Sequence, residues 1–571
     1  MSFVLVKKAI LKALENIDPN FEDFSVEYPS DIFFGDYSSN VAMVLAKKVG
    51  KNPKTLAGEI VENIKENKSE IFEKIEVAGP GFINFYLSNK YLDEALKEVL
   101  EKGEDFGKNE KFQGKKVIVE YTDPNAFKPF HIGHLMANAI GESISRLVEF
   151  SEAKIVRICY PSDIGLHIAK AIWAIIKNEN NFPKESDSII VKTNFLGTSY
   201  VEGTSAYEQG GEVKIEIENI NHKIFDKSDN KINEIYDKGK AWSLEHFEHI
   251  YKKVGTKFDA YIYESEVAVA GAKIVGEFLD KGVFEKSEGA TIFKGENFGL
   301  HTRVFINSKG LPTYEAKELG LNFKKFELFP DTVQSIIVTA NEQDDYFNVL
   351  RKVLELINPD IGKKTRHIGH GMLRFAEGKM SSRKGNVITG ESLIEQIEEM
   401  VAEKIKDSDF SSEEKEKIKT AVAVGAIKYS ILKQSIGGNI IFDFNKSVSF
   451  EGDSGPYLQY SYARANSVLE KGKEFMEDLS DLEVEPPNEL QKFFVRFPEI
   501  VKRAEEEMEP HHVVTYLVQL AGLFNNFYAH NQVVDLENKE KTKERLSIVK
   551  AFSIVMKNGL KLLAIPVLER M

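Results

Sequence analysis

Val117-Ile118-Val119-Glu120-Tyr121-Thr122-Asp123-Pro124-Asn125-Ala126-Phe127-Lys128-Pro129-Phe130-His131-Ile132-Gly133-His134 is the stretch that decides the fold. Residues 117–121 form a short apolar run of buried-strand type, and Asp123-Pro124-Asn125 turns the chain. A helix is predicted from about Phe130 to Phe150, with Ile140, Ile144, Leu147 and Val148 on one face, and a second strand over Ile155 to Cys159. Strand, loop, helix and strand in that order are the unit of a parallel, nucleotide-binding α/β domain.

His131 and His134 stand three apart and share one face of the helix's first turn. Free backbone N–H groups and the positive dipole end attract phosphate there. Gly133 removes a side chain and allows a nucleotide ring to approach the backbone. Two imidazoles can then hydrogen-bond phosphate oxygens as charge builds in a transition state. The tetrapeptide alone is weak, because His367-Ile368-Gly369-His370 repeats it. That copy follows Lys363-Lys364-Thr365-Arg366 with no buried strand before it, and reads as a coincidental strand sequence that continues into Gly371–Phe375.

Outward from this centre, residues 1–107 read as a small mixed α/β module, with a helix over Asn52–Glu66 and a strand over Phe82–Leu87 after Gly79-Pro80-Gly81. Lys7, Lys8 and Lys12 make Met1–Asn16 a surface amphipathic helix rather than an export signal. Lys108–Lys116 links this module to the nucleotide-binding α/β domain over 115–400. Within that domain the polar stretch of about 178–238 reads as an insertion, Lys240–Leu279 as largely helical, and Ser335–Thr339 as another buried strand. From 410 to 571 the pattern is that of an all-α bundle, with Val513, Leu517, Leu520, Phe524, Phe527 and Tyr528 following Pro510.

Composition narrows the functions. Of 571 residues 42% are hydrophobic and 29% charged, and no apolar run approaches the ~18 residues of a membrane span. The formal charge of −14 argues against an unspecific nucleic-acid binder, while a local basic face could still meet RNA. The lone Cys159 rules out an intramolecular disulfide and a multi-cysteine zinc site, and fits a reducing cytoplasm. No protein-bound metal is expected.

A second chemistry-bearing segment is Lys379-Met380-Ser381-Ser382-Arg383-Lys384-Gly385-Asn386. Three cations on a Ser/Gly loop suit a mobile clamp over a triphosphate.

The two segments together resemble the HIGH and KMSKS signatures of class I aminoacyl-tRNA synthetases, and Asn125-Ala126-Phe127-Lys128-Pro129-Phe130-His131 is similar to the arginyl enzymes in particular. Gly79-Pro80-Gly81-Phe82-Ile83-Asn84-Phe85 resembles their N-terminal tRNA-contacting domain. Gly455-Pro456-Tyr457-Leu458-Gln459-Tyr460 with Arg464, and the ending Glu569-Arg570-Met571, resemble their anticodon-binding bundle. The resemblance implies a Rossmann-type catalytic domain with an insertion, preceded by a small α/β tRNA D-loop-binding domain. It also implies arginine activation with ATP and Mg²⁺, transfer to tRNA(Arg), a tRNA requirement for activation, and a monomer.

By the same resemblance, ATP falls to His131, Gly133, His134, Lys379, Met380 and Ser381. Arginine falls to Glu120, Asn125, His131, Tyr314, Glu318 and Gln343 of Gln343-Asp344, and tRNA to Phe82, Asn84, Tyr460, Arg464 and Met571. A planar five-donor guanidinium needs such carboxylates and acceptors, which lysine could not satisfy. Two positions depart from the family: Glu318 stands where aspartate is usual, and Ser382 where the motif lysine is usual. Arg383, Lys384 or Lys128 could supply the missing cation, and the resemblance favours Lys128. The chain lacks the zinc cysteines of cysteinyl enzymes and room for a large editing domain. A small adenylyl transferase would not need the bundle, and intact His131, His134 and Lys379 speak against a catalytically silent tRNA-binding scaffold.

Overall fold

The computed structural model describes the whole chain except residues 1, 30, 67–69, 376–387, 477–483, 485 and 487. Its centre is a five-stranded, wholly parallel sheet, in the order Thr365–His370, Thr332–Ala340, Lys116–Tyr121, Lys154–Cys159, Ala260–Tyr261. Lys116–Tyr121 is the middle strand. Its neighbours come from opposite ends of the domain, so the connections part company at its carboxyl end and leave a crevice there. The helix Ile132–Phe150 starts at that crevice.

The duplicate tetrapeptide lies in the edge strand, paired in parallel with Thr332–Ala340. It does not run on to Phe375. A side chain at Gly371 would meet the Gly438 carbonyl at 2.2 Å, and Leu373–Phe375 forms a separate two-stranded sheet with Ile440–Phe442. That last strand, beyond residue 400, is three residues long and leaves no periodic trace in the sequence.

Residues 189–254 hold three helices, Ile189–Glu208, Gly211–Asp226 and Asn230–Val254. They build a core of their own with Ile168, Ile172 and Ile175, using Leu196, Ile217 and Ile224. The third helix runs unbroken through position 238, where the sequence suggested the insertion's end.

The N-terminal module is a four-stranded antiparallel sheet with helices Ser2–Ala13, Val41–Val49 and Pro53–Glu66. The helix Asn89–Lys102 gives Leu92 to that core and Leu96 and Val99 to the next. The C-terminal helices, including Ser412–Leu432, Gly455–Lys471, His511–His530 and Lys539–Leu562, share one core with the sheet domain. Ile144 and Leu147 of Ile132–Phe150 belong to the same cluster as Val422, Leu546 and Phe552, and Ser143 Oγ donates to the Leu562 carbonyl at 2.9 Å. Among the described residues no helix is long and apolar enough to cross a membrane.

Candidate active site

The middle strand ends in a strained loop. Thr122, Asp123 and Phe127 all have positive φ (84°, 46° and 64°) without being glycine. Such a conformation costs ~1–3 kcal/mol per residue and persists only where the surroundings fix it. Asn138 Nδ2 donates to Thr122 Oγ1, the Tyr160 N–H to Asp123 Oδ1, and the Phe127 N–H to Ser243 Oγ.

His131 caps the helix that follows. The His134 N–H donates to His131 Nδ1 and the His131 N–H to His134 Nδ1, each at 3.3 Å, and the two rings stack with centroids 3.4 Å apart. With both Nδ1 atoms accepting, each ring carries its proton on Nε2. The pair is therefore two neutral N–H donors, locked in tautomer and orientation. Desolvation in the cleft, followed by the Lys128 ammonium, holds His131 down to about 4, and desolvation, followed by His131, also holds His134 well below its ordinary value. A side chain at Gly133 would sit 3.0 Å from Nδ1 and Cε1 of His131. The glycine thus makes room for the imidazole stack, which its sequence context did not reveal.

The chain following the second signature returns to the first. Thr389 bridges His131, and the Gly390 N–H donates to the Phe130 carbonyl at 2.8 Å. Lys379, Met380, Ser381, Ser382, Arg383 and Lys384 lie outside the described residues. Lys128 is described: its ammonium stands 4.7 Å over the Tyr200 ring.

Two of the expected arginine residues, Glu120 and Glu318, lie in a buried set of charges with Lys325. Glu120 is buried and its Oε2 accepts from Lys325 Nζ at 2.7 Å, with Lys325 itself fully buried. A buried carboxylate requires such a partner. Glu318, buried on the same helix as Lys325, is pushed up to about 8 by burial and then by Glu120. One turn earlier Tyr314 is exposed, and the Lys317 ammonium lies 4.9 Å over its ring while pairing with buried Glu264 at 2.8 Å. Asn125 bridges Ser162 on the loop after the neighbouring strand. Gln343 is exposed at the start of Asp344–Ile357. Tyr346 Oη donates to the Tyr314 carbonyl at 3.2 Å.

Sequence reading missed Lys325, Lys317, Glu264 and Tyr346. It also missed Tyr160, whose buried hydroxyl has no hydrogen-bond partner among the described residues. Burial, then Glu264 and Glu318, raises that hydroxyl's pKa, so it sits beside the same carboxylates.

The tRNA expectations divide. Phe82 is exposed, but Asn84 is 4% exposed and its Oδ1 accepts from Ser38 Oγ at 2.8 Å. Its side-chain oxygen thereby ties two strands together. The Arg464 guanidinium lies 4.7 Å over the Tyr460 ring and 5.4 Å over that of Tyr528, and it donates to Asn525. Tyr528, which the sequence reading set in the same helical pattern as Val513 and Leu517, is exposed. Met571 packs, partly buried, against the bundle core.

Among the described residues no group of three or more His, Cys, Asp or Glu side chains could hold a metal ion.

Comparison with known proteins accounts for nearly the whole chain. Residues 95–444 match the family model for the class I (R) tRNA synthetase catalytic domain, 458–571 the DALR anticodon-binding domain, and 5–87 the arginyl-tRNA synthetase N-terminal domain. The arginine–tRNA ligase of Clostridium beijerinckii is 31% identical over 570 residues, covering 99% of this chain and 98% of that protein. That of Fusobacterium nucleatum is 32% identical, with 98% of each covered. Among solved structures, Thermus thermophilus arginyl-tRNA synthetase superposes with a TM-score of 0.82 at 23% identity, over the full length of both chains. The Plasmodium falciparum enzyme gives 0.81 at 22%, covering 100% of this chain and 99% of its own. These two likenesses bear on the fold.

Proposed function

The chain belongs to the arginine–tRNA ligase family of class I aminoacyl-tRNA synthetases, and from that membership we propose how its own residues carry the reaction. Arginine is activated with ATP and joined to tRNA. In the reading supported here, the arginine carboxylate attacks the α-phosphorus in line, pyrophosphate leaves, and the adenylate passes its acyl group to the terminal ribose of tRNA(Arg). No covalent enzyme intermediate forms, so positioning and charge stabilisation supply the rate. Magnesium arrives with ATP as part of the substrate.

The observation that carries this assignment is the pair of neutral, tautomer-locked imidazoles at the crevice beside the Lys128 ammonium, which lies over the Tyr200 ring. His131 and His134 donate Nε2–H to phosphate oxygens, and the Lys128 ammonium meets the charge that develops on them. The signature at 379–384 is assigned to the same phosphates, since the chain on its far side bridges His131 at Thr389. Glu318, Glu120, Asn125, Tyr314 and Gln343 hold arginine, with Lys325 fixing the Glu120 carboxylate. Phe82 meets the D-loop, while Tyr460, Arg464 and Met571 face the anticodon. The units 1–107, 115–400 and 410–571 act as D-loop-binding, catalytic and anticodon-binding parts of a cytoplasmic monomer.

Arginine-dependent ATP–pyrophosphate exchange, measured with and without tRNA, tests the order of events. Exchange should need tRNA; full-rate exchange without it sinks that part of the reading. A charging assay across all amino acids tests the substrate, and failure to esterify arginine sinks the whole.

A further inference from the structure

Two of the three inserted helices, Ile189–Glu208 and Asn230–Val254, touch the catalytic loop at three consecutive residues. A side chain at Gly239, midway along Asn230–Val254, would fall 2.2 Å from the Phe127 ring, and Ser243 one turn later receives the Phe127 N–H at 3.0 Å. That bond pins the residue whose φ of 64° turns the loop towards the histidines. Pro129 packs on Gly197 of Ile189–Glu208, where an added Cβ would meet its ring at 3.3 Å. Between them stands Lys128, with its ammonium over the half-buried ring of Tyr200, one turn after Gly197.

A third glycine sets the height of that ring. At Gly203, one further turn on, a Cβ would lie 2.0 Å from the Lys170 carbonyl, so the helix crosses its neighbour backbone to backbone. Gly197, Tyr200 and Gly203 thus form one face, with small residues bringing the helix close and one aromatic projecting into the site. The placement of the ammonium is felt by its neighbours: after desolvation, it is the next cause lowering both His131 and His167. Tyr200 also lies close to the arginine end, where desolvation, Glu264 and the Tyr200 phenol together raise the Tyr314 hydroxyl.

We propose that the inserted helices serve as a template for the catalytic loop, and that Tyr200 is the positioning residue that holds the Lys128 ammonium at the ATP phosphates. A lysine on four rotatable carbons gains nothing in a transition state unless its rotamers are restricted beforehand. The π face restricts them without neutralising the charge, as a carboxylate partner would do. The inference rests on the reading of Lys128 as an adenylation cation.

The test is tRNA-supported pyrophosphate exchange with the full-length enzyme, recording kcat and the KM values for arginine and ATP. Tyr200→Leu, which keeps apolar bulk, should lower kcat about tenfold with the arginine KM within about twofold. Tyr200→Phe keeps the ring face and should restore kcat to within about twofold. Tyr200→Leu added to Lys128→Ala should cost less than about twofold beyond Lys128→Ala alone, since the two residues act as one unit. Wild-type kcat for Tyr200→Leu, or an additive loss in the double variant, overturns the proposal while leaving the Lys128 reading intact. A Lys128→Ala enzyme with undiminished kcat overturns both. Thermal midpoints of the four proteins separate these outcomes from misfolding, and a Tyr200→Phe loss equal to that of Tyr200→Leu also counts against the proposal.

Discussion

At 131–134 the residues His-Ile-Gly-His cap a helix at the sheet's crevice, whereas at 367–370 the same four residues form an edge strand. In the helix, a spacing of three puts both imidazoles on one face, where they stack and cap each other. In the strand, the same spacing sends them to opposite faces. His367 lies flat on Phe347, with ring centroids 4.0 Å apart, and bonds Thr339 Oγ1 through Nε2; His370 is buried with Nδ1 against the Gly371 carbonyl. Both pairs are desolvated, and His367 is held down to about 4 much as His131 is. A lowered histidine pKa therefore does not mark the active copy. Shared direction and an open crevice do.

The largest effect should separate the copies outright. His134→Ala removes a donor aimed at developing charge and should lower kcat for adenylation about 100-fold or more. His367→Ala should leave kcat within about twofold and instead destabilise the fold by ~1 kcal/mol, through the lost Phe347 stack and Thr339 bond. Paired exchange assays and thermal melts decide it, and comparable kcat losses from both would erase the distinction. Next in size is Lys128→Ala, for which kcat should fall roughly 30- to 100-fold while the arginine KM rises no more than about threefold, because the cation acts on transition-state charge. An unchanged rate constant hands the role to Arg383 or Lys384.

A third expectation concerns the arginine end, which has no counterpart at the second copy. Glu318 faces Glu120, Lys325 and Glu264, and burial keeps it protonated up to about 8. Only the carboxylate form can balance a guanidinium, so binding must release a proton. Below about pH 8 the arginine KM should fall by up to about tenfold per unit rise in pH, and flatten above it. Glu318→Gln should abolish the slope. A KM constant from pH 6 to 9 in the wild type contradicts the assignment.

The comparison also explains what could be read from the sequence. The strand 117–121, the turn at Pro124 and the amphipathic helix are local patterns, and they distinguish the two copies from the sequence alone. The bundle was legible for the same reason, through the three- and four-residue steps from Val513 to Phe527. Lys325 was not, because it reaches Glu120 across 205 residues and looks like any helix-surface lysine in Phe323-Lys324-Lys325-Phe326. Tyr200 lay in a stretch whose polarity suggested nothing but an insertion, since its helix packs through glycines rather than through an apolar stripe. Asn84 shows the opposite case: motif resemblance proposed a contact, and the sequence gave no sign that its place in the sheet would tie it to Ser38.

The smallest effects should come from the two glycines, and they probe the comparison most finely. Gly133→Ala puts a methyl 3.0 Å from the His131 ring. The ring must shift and the stack open, while the helix gains up to ~1 kcal/mol of propensity. Its kcat should therefore fall roughly five- to tenfold with an unchanged or raised melting temperature. Gly369→Ala puts a methyl 2.0 Å from Asp344 Oδ1 and 3.0 Å from the Asn341 Cα. The Asp344 side chain is half exposed and can swing away, but the short turn Asn341–Gln343 must yield with it. Because Gln343 is the proposed arginine contact on that turn, the arginine KM should rise about two- to threefold while kcat holds. One methyl in each copy thus reports on a different substrate, the first on ATP chemistry through kcat and the second on arginine through KM. If Gly369→Ala instead lowered kcat with KM unchanged, the edge strand would be part of the phosphate site, and the separation of the two copies would have to be redrawn.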